Sequence, residues 1–365
     1  MSRGLRFAPW LISVVLPVLG ACGGERDAAV SEPAYEVAER FEVGAGIYVR
    51  ALAIEKATDT LWVGTSMGVM EIGLADQALR NTFTRQHGLA NEYVFAIGID
   101  SQGYKWFGTN AGGASRYKNG EWDVFFPMHG LADYWIYAFA EQRGGIYWVG
   151  TWDGANRVDL NTMEFTKYKD ELINEWVYGL AVDSKNRVWF GTEGGVSMLD
   201  GDTWSEWNHD DGVGAPNEAA LPPSTNTGLG TRTRHDLSVL MGGQESYNPN
   251  YVFATHADLE DVIWVGTWGG GVSRYEEGEW RNLAMTDGLA GNIVYCIAQD
   301  ESGAYWFGTN RGVSRYDGER FTNYDSADGL PGNHVYAIAV ADNQDVWVGT
   351  RDGVARLAPV AASEQ

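Results

Sequence analysis

Cysteine and basic residues are scarce in this sequence, and their scarcity excludes several classes of protein. The 365 residues include two cysteines, too few for a disulfide framework or for a metal site built from thiolates. Lysine and arginine number 26 against 49 aspartates and glutamates, which gives a formal charge of −23. An acidic surface repels a phosphate backbone, so we expect no nucleic-acid partner.

Recognisable cofactor and catalytic motifs are also missing. None of the six histidines has a metal-binding spacing such as His-x-x-x-His. The sequence has no phosphate-binding loop, no dinucleotide fingerprint and no Gly-x-Ser-x-Gly elbow. We therefore expect no metal and no cofactor, and the sequence names no catalytic residue.

The one long apolar run, residues 7–19, is too short to persist as a membrane helix. Arg3 and Arg6 precede it, and together they predict a signal peptide over residues 1–21. The run ends in Leu-Gly-Ala-Cys22, which resembles the lipobox of bacterial lipoproteins. The resemblance implies lipidation of Cys22 and, with Gly23 in place of an aspartate, anchoring to the outer membrane on its periplasmic side. Residues 22–38 are small and acidic, and we interpret them as a flexible tether.

Glycine, tryptophan and tyrosine are abundant, with 47, 16 and 18 residues. A motif that contains tryptophan and glycine, Trp-[Val/Phe]-Gly-Thr, occurs seven times. Its tryptophans are Trp62, Trp106, Trp148, Trp189, Trp264, Trp306 and Trp347. The spacings are 44, 42, 41, 75, 42 and 41 residues, and the long one contains an insertion over residues 208–249. A period near 42 residues with several short strands is typical of propeller blades.

Each repeat reads as a four-stranded antiparallel meander, with strands A to D. The chain ends after strand C of the last repeat, whereas residues 39–42 align with residues 319–322, a strand D. The N-terminal strand should therefore complete the last blade and remove the open edges. We predict an all-β fold, a single seven-bladed β-propeller over residues 39–357, followed by a C-terminal tail, 358–365.

Two recurring features of the repeat have structural interpretations. The motif tryptophan is a large apolar body that can pack between sheets, and the motif glycine allows another backbone to approach closely. Aspartates at the A-to-B turn (Asp100, Asp183, Asp300 and Asp342) are expected to bond their own turn rather than calcium.

The repeat pattern, seen best over Trp306–Tyr316 and Asp328–Ile338, resembles the two-component regulator propeller repeat. In that family the blades usually form the periplasmic ligand sensor of hybrid histidine kinases, with two propellers, a membrane helix and kinase domains. This sequence holds a single propeller, so a sensing role is a hypothesis. Streptogramin lyase is a similar single seven-bladed propeller and gives an enzymatic comparison.

Strand direction alternates within a blade, so the D-to-A and B-to-C loops share one face of the propeller. Residues at the start of strand A and after the Gly-Thr of strand B should surround the central channel there. Many are aromatic, and a concave aromatic mouth with a few polar groups is a common ligand site. We predict ligand contacts from Tyr93, Trp135, Trp152, Trp176, Tyr251, Trp268, His334 and Arg351.

We expect non-covalent recognition of a glycan or another small molecule at this face, by a stand-alone sensor or accessory binding protein. A protein–protein scaffold in the envelope is one alternative. A lyase or hydrolase similar to streptogramin lyase is another, with His334 and Glu193 as the residues to test. By its connectivity the insertion belongs to the same face. It is either a lid that brings its basic run, residues 232–235, over the mouth or a disordered segment.

Overall fold

The computed structural model describes residues 34–44, 46–224 and 245–360. The predicted signal peptide, Cys22 and most of the predicted tether lie outside these residues. Within the described ranges, no helix has the length and hydropathy needed to cross a bilayer.

The described chain forms seven four-stranded antiparallel sheets, which confirms the seven-bladed propeller. The N-terminal strand, β1 (Tyr35–Phe41), joins the last blade. Blade 1 consists of β2 (Val49–Glu55), β3 (Thr60–Thr65), β4 (Gly68–Gly73) and β5 (Leu79–Phe83). Blade 2 consists of β6 (Val94–Ile99), β7 (Lys105–Thr109), β8 (Ala114–Lys118) and β9 (Glu121–Phe125). Blade 3 consists of β10 (Ile136–Gln142), β11 (Ile146–Thr151), β12 (Gly154–Asp159) and β13 (Phe165–Tyr168).

The remaining blades repeat the same meander. Blade 4 consists of β14 (Val177–Val182), β15 (Val188–Thr192), β16 (Gly195–Asp200) and β17 (Thr203–Trp207). Blade 5 consists of β18 (Asn248–Ala257), β19 (Ile263–Trp268), β20 (Val272–Glu276) and β21 (Glu279–Leu283). Blade 6 consists of β22 (Val294–Gln299), β23 (Tyr305–Thr309), β24 (Gly312–Tyr316) and β25 (Phe321–Tyr324). Blade 7 consists of β26 (Val335–Val340), β27 (Val346–Thr350), β28 (Gly353–Pro359) and β1.

Short 3-10 turns punctuate several connections. They lie at Lys56–Thr58, Arg85–His87, Pro127–His129, His209–Asp211 and Met285–Asp287. In the connection between blades 5 and 6, the Asp287 carboxylate accepts a hydrogen bond from the Ala284 amide at 2.9 Å. His87 does the same with Nδ1, which accepts from the Thr84 amide at 3.1 Å. The histidine thus replaces the aspartate of the repeat as a turn residue.

The motif tryptophans and glycines join one blade to the next. All seven tryptophans are buried, and Trp148 lies edge-on to Phe190 of the following blade at 5.2 Å. Each motif glycine faces the branched residue near the start of the next strand A. A Cβ on Gly108 would lie 2.6 Å from Ile136, and one on Gly349 would lie 2.6 Å from Val49. No side chain fits at these positions, which confirms the predicted close approach of the neighbouring blade. The same contact recurs around the whole ring and includes the boundary between blade 7 and blade 1.

The N-terminal strand closes the ring as predicted, but it begins earlier than the sequence suggested. β1 pairs antiparallel with β28, from Tyr35 opposite Pro359 to Phe41 opposite Val354. Residues 35–38, assigned from sequence to the tether, are in the strand. The reason is Tyr35, whose ring packs edge-on against Trp306 at 4.8 Å and is 6% exposed.

Candidate functional site

Two sets of residues predicted to surround the channel mouth lie side by side in the structure. In six blades, the amide of the residue after Gly-Thr donates to the carbonyl of the first mouth residue of strand A. The pairs are Ser66–Tyr48, Asn110–Tyr93, Trp152–Trp135, Glu193–Trp176, Asn310–Ile293 and Arg351–His334, at 2.9 to 3.2 Å. We call these residues the rim, and the propeller face that carries them the aromatic face.

Three rim tryptophans from blades 3 and 4 form a contiguous surface. Trp152 lies edge-on to Trp135 at 5.2 Å and to Trp176 at 5.5 Å. Trp135 is buried, whereas Trp152 and Trp176 are half-buried. The structure therefore brings together three of the predicted ligand residues, and we call them the tryptophan cluster.

Two other predicted residues, Tyr251 and Trp268, are almost completely buried. Each is 2% exposed, and their rings stack at 5.9 Å with an interplanar angle of 17°. The Trp268 indole N–H donates to Ser246 at the end of the insertion, at 2.9 Å. Their contact with a ligand remains a prediction.

The remaining predicted residues lie on the rim near blades 7, 1 and 2. The Arg351 guanidinium lies 5.2 Å above the ring of Tyr48, across the boundary between blade 7 and blade 1. His334 lies 6.3 Å from Tyr336, and Tyr93 lies 4.7 Å from Phe95. The rim side chains thus rest on a second set of residues deeper in the channel.

This deeper set is created by a β-bulge that recurs in strand A of every blade. In blade 3, Ile136 pairs with Thr151 but Ala138 pairs with Gly150, so Tyr137 is an extra residue without a partner. Bulges re-aim side chains and are common beside functional sites. The bulged residues are Arg50, Phe95, Tyr137, Tyr178, Phe253, Tyr295 and Tyr336. We call them the inner ring.

The inner ring is a closed circle of neighbouring side chains. Going around the channel, the separations are Arg50–Phe95 5.6 Å, Phe95–Tyr137 5.5 Å, Tyr137–Tyr178 4.8 Å, Tyr178–Phe253 5.6 Å, Phe253–Tyr295 5.9 Å, Tyr295–Tyr336 5.0 Å and Tyr336–Arg50 4.3 Å. With Tyr251 the ring lines a cavity of about 130 Å³. Six aromatic rings and one guanidinium therefore surround the axis.

The polar groups that line this cavity are neutral hydroxyls and one cation, and one carboxylate of the rim contacts them. Burial raises the pKa of Tyr137, Tyr178 and Tyr251 well above the usual value, so these hydroxyls stay protonated and can donate. The Tyr178 hydroxyl donates to Glu193 of the rim at 3.3 Å. Glu193 belongs to blade 4 and Arg50 to blade 1, so the two charges lie on opposite sides of the channel.

Below the inner ring the channel is lined mainly by small and aliphatic side chains. A cavity of about 280 Å³ there is lined by small residues such as Ala51, Ala138 and Gly179. Cys296 is also in this wall, and burial raises the pKa of its thiol to about 12. The side chains that line the channel thus change from aromatic at the inner ring to mainly small and aliphatic below it.

The described parts of the insertion lie on the aromatic face. Glu245 accepts two hydrogen bonds from the guanidinium of Arg311, at 2.8 and 2.9 Å, and a third from rim residue Asn310. The outgoing and returning limbs meet where Pro223 bridges to Tyr247. The basic run at residues 232–235 lies outside the described residues.

Sequence reasoning selected the rim and missed the inner ring. The signal was present, because the position two residues after the first rim residue holds Arg, Phe, Tyr, Tyr, Phe, Tyr and Tyr in the seven repeats. We read this position as an ordinary strand residue, whereas the bulge turns it into the channel. Within the described residues, no group of three or more His, Cys, Asp or Glu side chains is arranged to hold a metal.

The sequence profile of a family described as "Two component regulator propeller" matches residues 171–194, 288–311 and 329–352. These segments contain strands A and B of blades 4, 6 and 7, with the Trp-[Val/Phe]-Gly-Thr motif. The chain therefore carries two-component regulator propeller repeats. No curated protein sequence matches it.

Solved structures similar to this chain include two kinds of protein that bear on its function. The extracellular domain of a hybrid two-component system of B. thetaiotaomicron superposes with a TM-score of 0.71 at 20% identity, over 91% of this chain and 42% of that one. A second such domain from B. thetaiotaomicron gives 0.65 at 17%, over 87% and 39%. The present chain therefore spans about two fifths of the length of these sensor domains.

The second kind is a lyase. Virginiamycin B lyase from Staphylococcus aureus, in a catalytically inactive form with quinupristin, gives a TM-score of 0.65 at 13% identity, over 88% of this chain and 99% of that one. At these identities the likeness to all three structures shows a shared propeller fold.

Proposed function

We propose that this protein binds a glycan or another small molecule at its aromatic face, as a lipid-anchored sensor or accessory recognition protein of the bacterial envelope. One observation carries the proposal. The tryptophan cluster and the inner ring together form a concave aromatic surface at one end of the central channel. Flat aromatic faces with a few convergent polar groups suit sugar rings and planar heterocycles.

Two further observations support the envelope and the sensing role. The lipobox-like sequence ending at Cys22 supports a lipid anchor. The fold is shared with extracellular domains of hybrid two-component systems, which belong to a signalling class of protein.

The test is a thermal-shift screen on the chain from residue 23 onward, which omits the predicted lipidation site, against oligosaccharides and small aromatic metabolites. A ligand that binds only the folded state stabilises it by about 2.7 kcal/mol at a concentration of 100 times Kd, which is a rise of a few degrees in Tm. We expect such a rise for one class of compound. We expect the rise to disappear in a Trp152→Ala, Trp176→Ala double variant.

The matched control is Trp204→Ala, which removes a half-buried tryptophan from the outer strand of blade 4. It should lower Tm without affecting the ligand-induced rise. A rise that survives loss of Trp152 and Trp176 would place binding elsewhere. The absence of any rise, together with cross-linking to one envelope protein in intact cells, would favour the scaffold alternative.

A further inference from the structure

The inner ring contains one cation, Arg50, and its surroundings differ from those of the ion-paired arginines Arg187 and Arg356. Arg187 and Arg356 are held by Asp183 and Asp345, at 2.6 and 2.8 Å. The guanidinium of Arg50 instead lies 4.3 Å above the ring of Tyr336 and 5.6 Å from that of Phe95. Among the described residues, no carboxylate forms an ion pair with it.

This arrangement leaves the hydrogen-bonding capacity of Arg50 unused. A guanidinium carries five N–H donors in a planar fork, and stacking on an aromatic face occupies none of them. The neighbouring side chains of the ring are phenylalanine and tyrosine, which offer no anion to the guanidinium. The fork is therefore available to an acceptor in the cavity that the ring encloses.

Placing an arginine at this bulge has a cost that six of the seven blades avoid by using an aromatic residue. A partly buried cation without a counter-ion is unfavourable unless the site is completed by another group. A carboxylate matches the guanidinium fork in shape and charge, because two parallel N–H···O bonds can form. The aromatic walls on both sides would then exclude water from the ion pair.

We propose that Arg50 is the specificity-determining residue of the channel and that it selects ligands bearing a carboxylate next to a flat ring or sugar ring. The carboxylate binds the Arg50 fork, and the ring of the ligand lies against the inner-ring aromatics. Glu193, on the rim at the opposite side of the channel, disfavours a second anionic group near blade 4. The inference deepens the proposed function and rests on it.

The experiment compares ligand pairs that differ only in charge: indole-3-acetate with indole-3-acetamide, and galacturonate oligomers with their methyl esters. Binding is measured by titration calorimetry on the chain from residue 23 onward. We expect the carboxylate member of at least one pair to bind tenfold or more tightly than its neutral partner. Raising the salt concentration should reduce that difference.

Arg50→Gln should abolish the preference and leave the neutral member's affinity unchanged within twofold. Arg50→Lys, which keeps the charge but lacks the fork, should retain a smaller preference. Arg281→Gln removes a guanidinium that is 54% exposed on the outer strand of blade 5, and it should change nothing. If Arg50→Gln reduces folding, the lysine variant still tests the inference.

The outcomes separate this inference from the proposed function. If the charged and neutral members of a pair bind with equal affinity, and both lose binding in the Trp152→Ala, Trp176→Ala variant, the role of Arg50 would be overturned. The proposed binding site would still stand. A carboxylate preference that persists in Arg50→Gln would also overturn it. Failure of every carboxylate to bind would refute the inference, whereas the thermal-shift screen decides the proposed function.

Discussion

At the scale of single residues, the indole N–H of each motif tryptophan needs an acceptor because the ring is buried. In blades 2, 4, 5 and 6 the acceptor is an aspartate six residues earlier, such as Asp100 for Trp106 at 2.8 Å. In blade 7 this position is Ala341, and the N–H of Trp347 has no partner in the described part of the chain. Asp342, which we grouped with the turn aspartates from sequence, is one residue out of register and pairs with exposed Lys56 instead.

Ala341→Asp should therefore stabilise the protein. The new carboxylate can accept from the Trp347 indole, and a hydrogen bond to a charged acceptor contributes about 1.5 kcal/mol or more when its donor is already buried. We expect a net gain of about 1 kcal/mol because nearby Asp345 opposes a second negative charge. Urea unfolding measures it, and the double variant with Trp347→Phe, which has no N–H, should lose the gain. Equal effects in both backgrounds would show that the carboxylate does not reach the indole.

At the scale of strands, strand B of each blade could be predicted from the sequence, whereas the bulge in strand A could not. The motif Trp-[Val/Phe]-Gly-Thr recurs in the sequence itself, so strand B, the blade period and the buried tryptophans could be predicted. The bulge in strand A has no sequence motif of its own, because register is a property of two paired strands. Tyr137 and Tyr178 therefore looked like alternating strand residues. The rim residues could be predicted because strand direction alone determines which loops share a face of the propeller.

Strands of neighbouring blades are also joined by a buried ion pair. Lys105 of β7 donates to Glu55 of β2 at 3.0 Å, with side chains 9% and 11% exposed, and Glu55 accepts from Trp62 as well. Burial acts to raise the pKa of Glu55, but the hydrogen bonds from Lys105 and Trp62 outweigh it and lower the pKa from its usual 4.5. Glu55 thus links blade 1 to blade 2 only while it is ionised.

Glu55→Gln should lower the free energy of unfolding by at least about 2 kcal/mol at pH 7, because Lys105 keeps a buried charge without a partner. A lowered folded-state pKa means that the contribution of Glu55 is fully present above about pH 4.5 and is lost as pH falls through the folded-state value. The difference from wild type should therefore shrink as the pH is lowered below about 4.5. Glu71→Gln, which removes a carboxylate bonded to Asn81 at the surface, should show no such convergence. A pH-independent difference for Glu55→Gln would argue against ionisation as the cause.

At the scale of the whole molecule, stability depends on closing the ring. Gly349 of blade 7 packs against Val49 of blade 1 as the other motif glycines pack against their neighbours, so the first and last repeats meet as ordinary blades. What holds blade 7 together is β1, the strand most distant from it in sequence. The pairing covers the edge of β28 and gives blade 7 the fourth strand that the other six blades have.

Tyr35→Ala tests how far closure reaches through the molecule. The Tyr35 ring fills a site between β28 and Trp306 of blade 6, and its amide hydrogen is accepted by the Tyr324 hydroxyl at 3.3 Å. Removing a buried aromatic ring costs about 3 kcal/mol or more. Because closure couples all blades, we expect one cooperative transition at lower denaturant concentration, and hydrogen exchange that is faster in β28 as well as in β1. Glu36→Ala, at an exposed position of the same strand, should leave both unchanged. Faster exchange confined to β1 would mean that the strand opens by itself and that the remaining blades hold the ring without it.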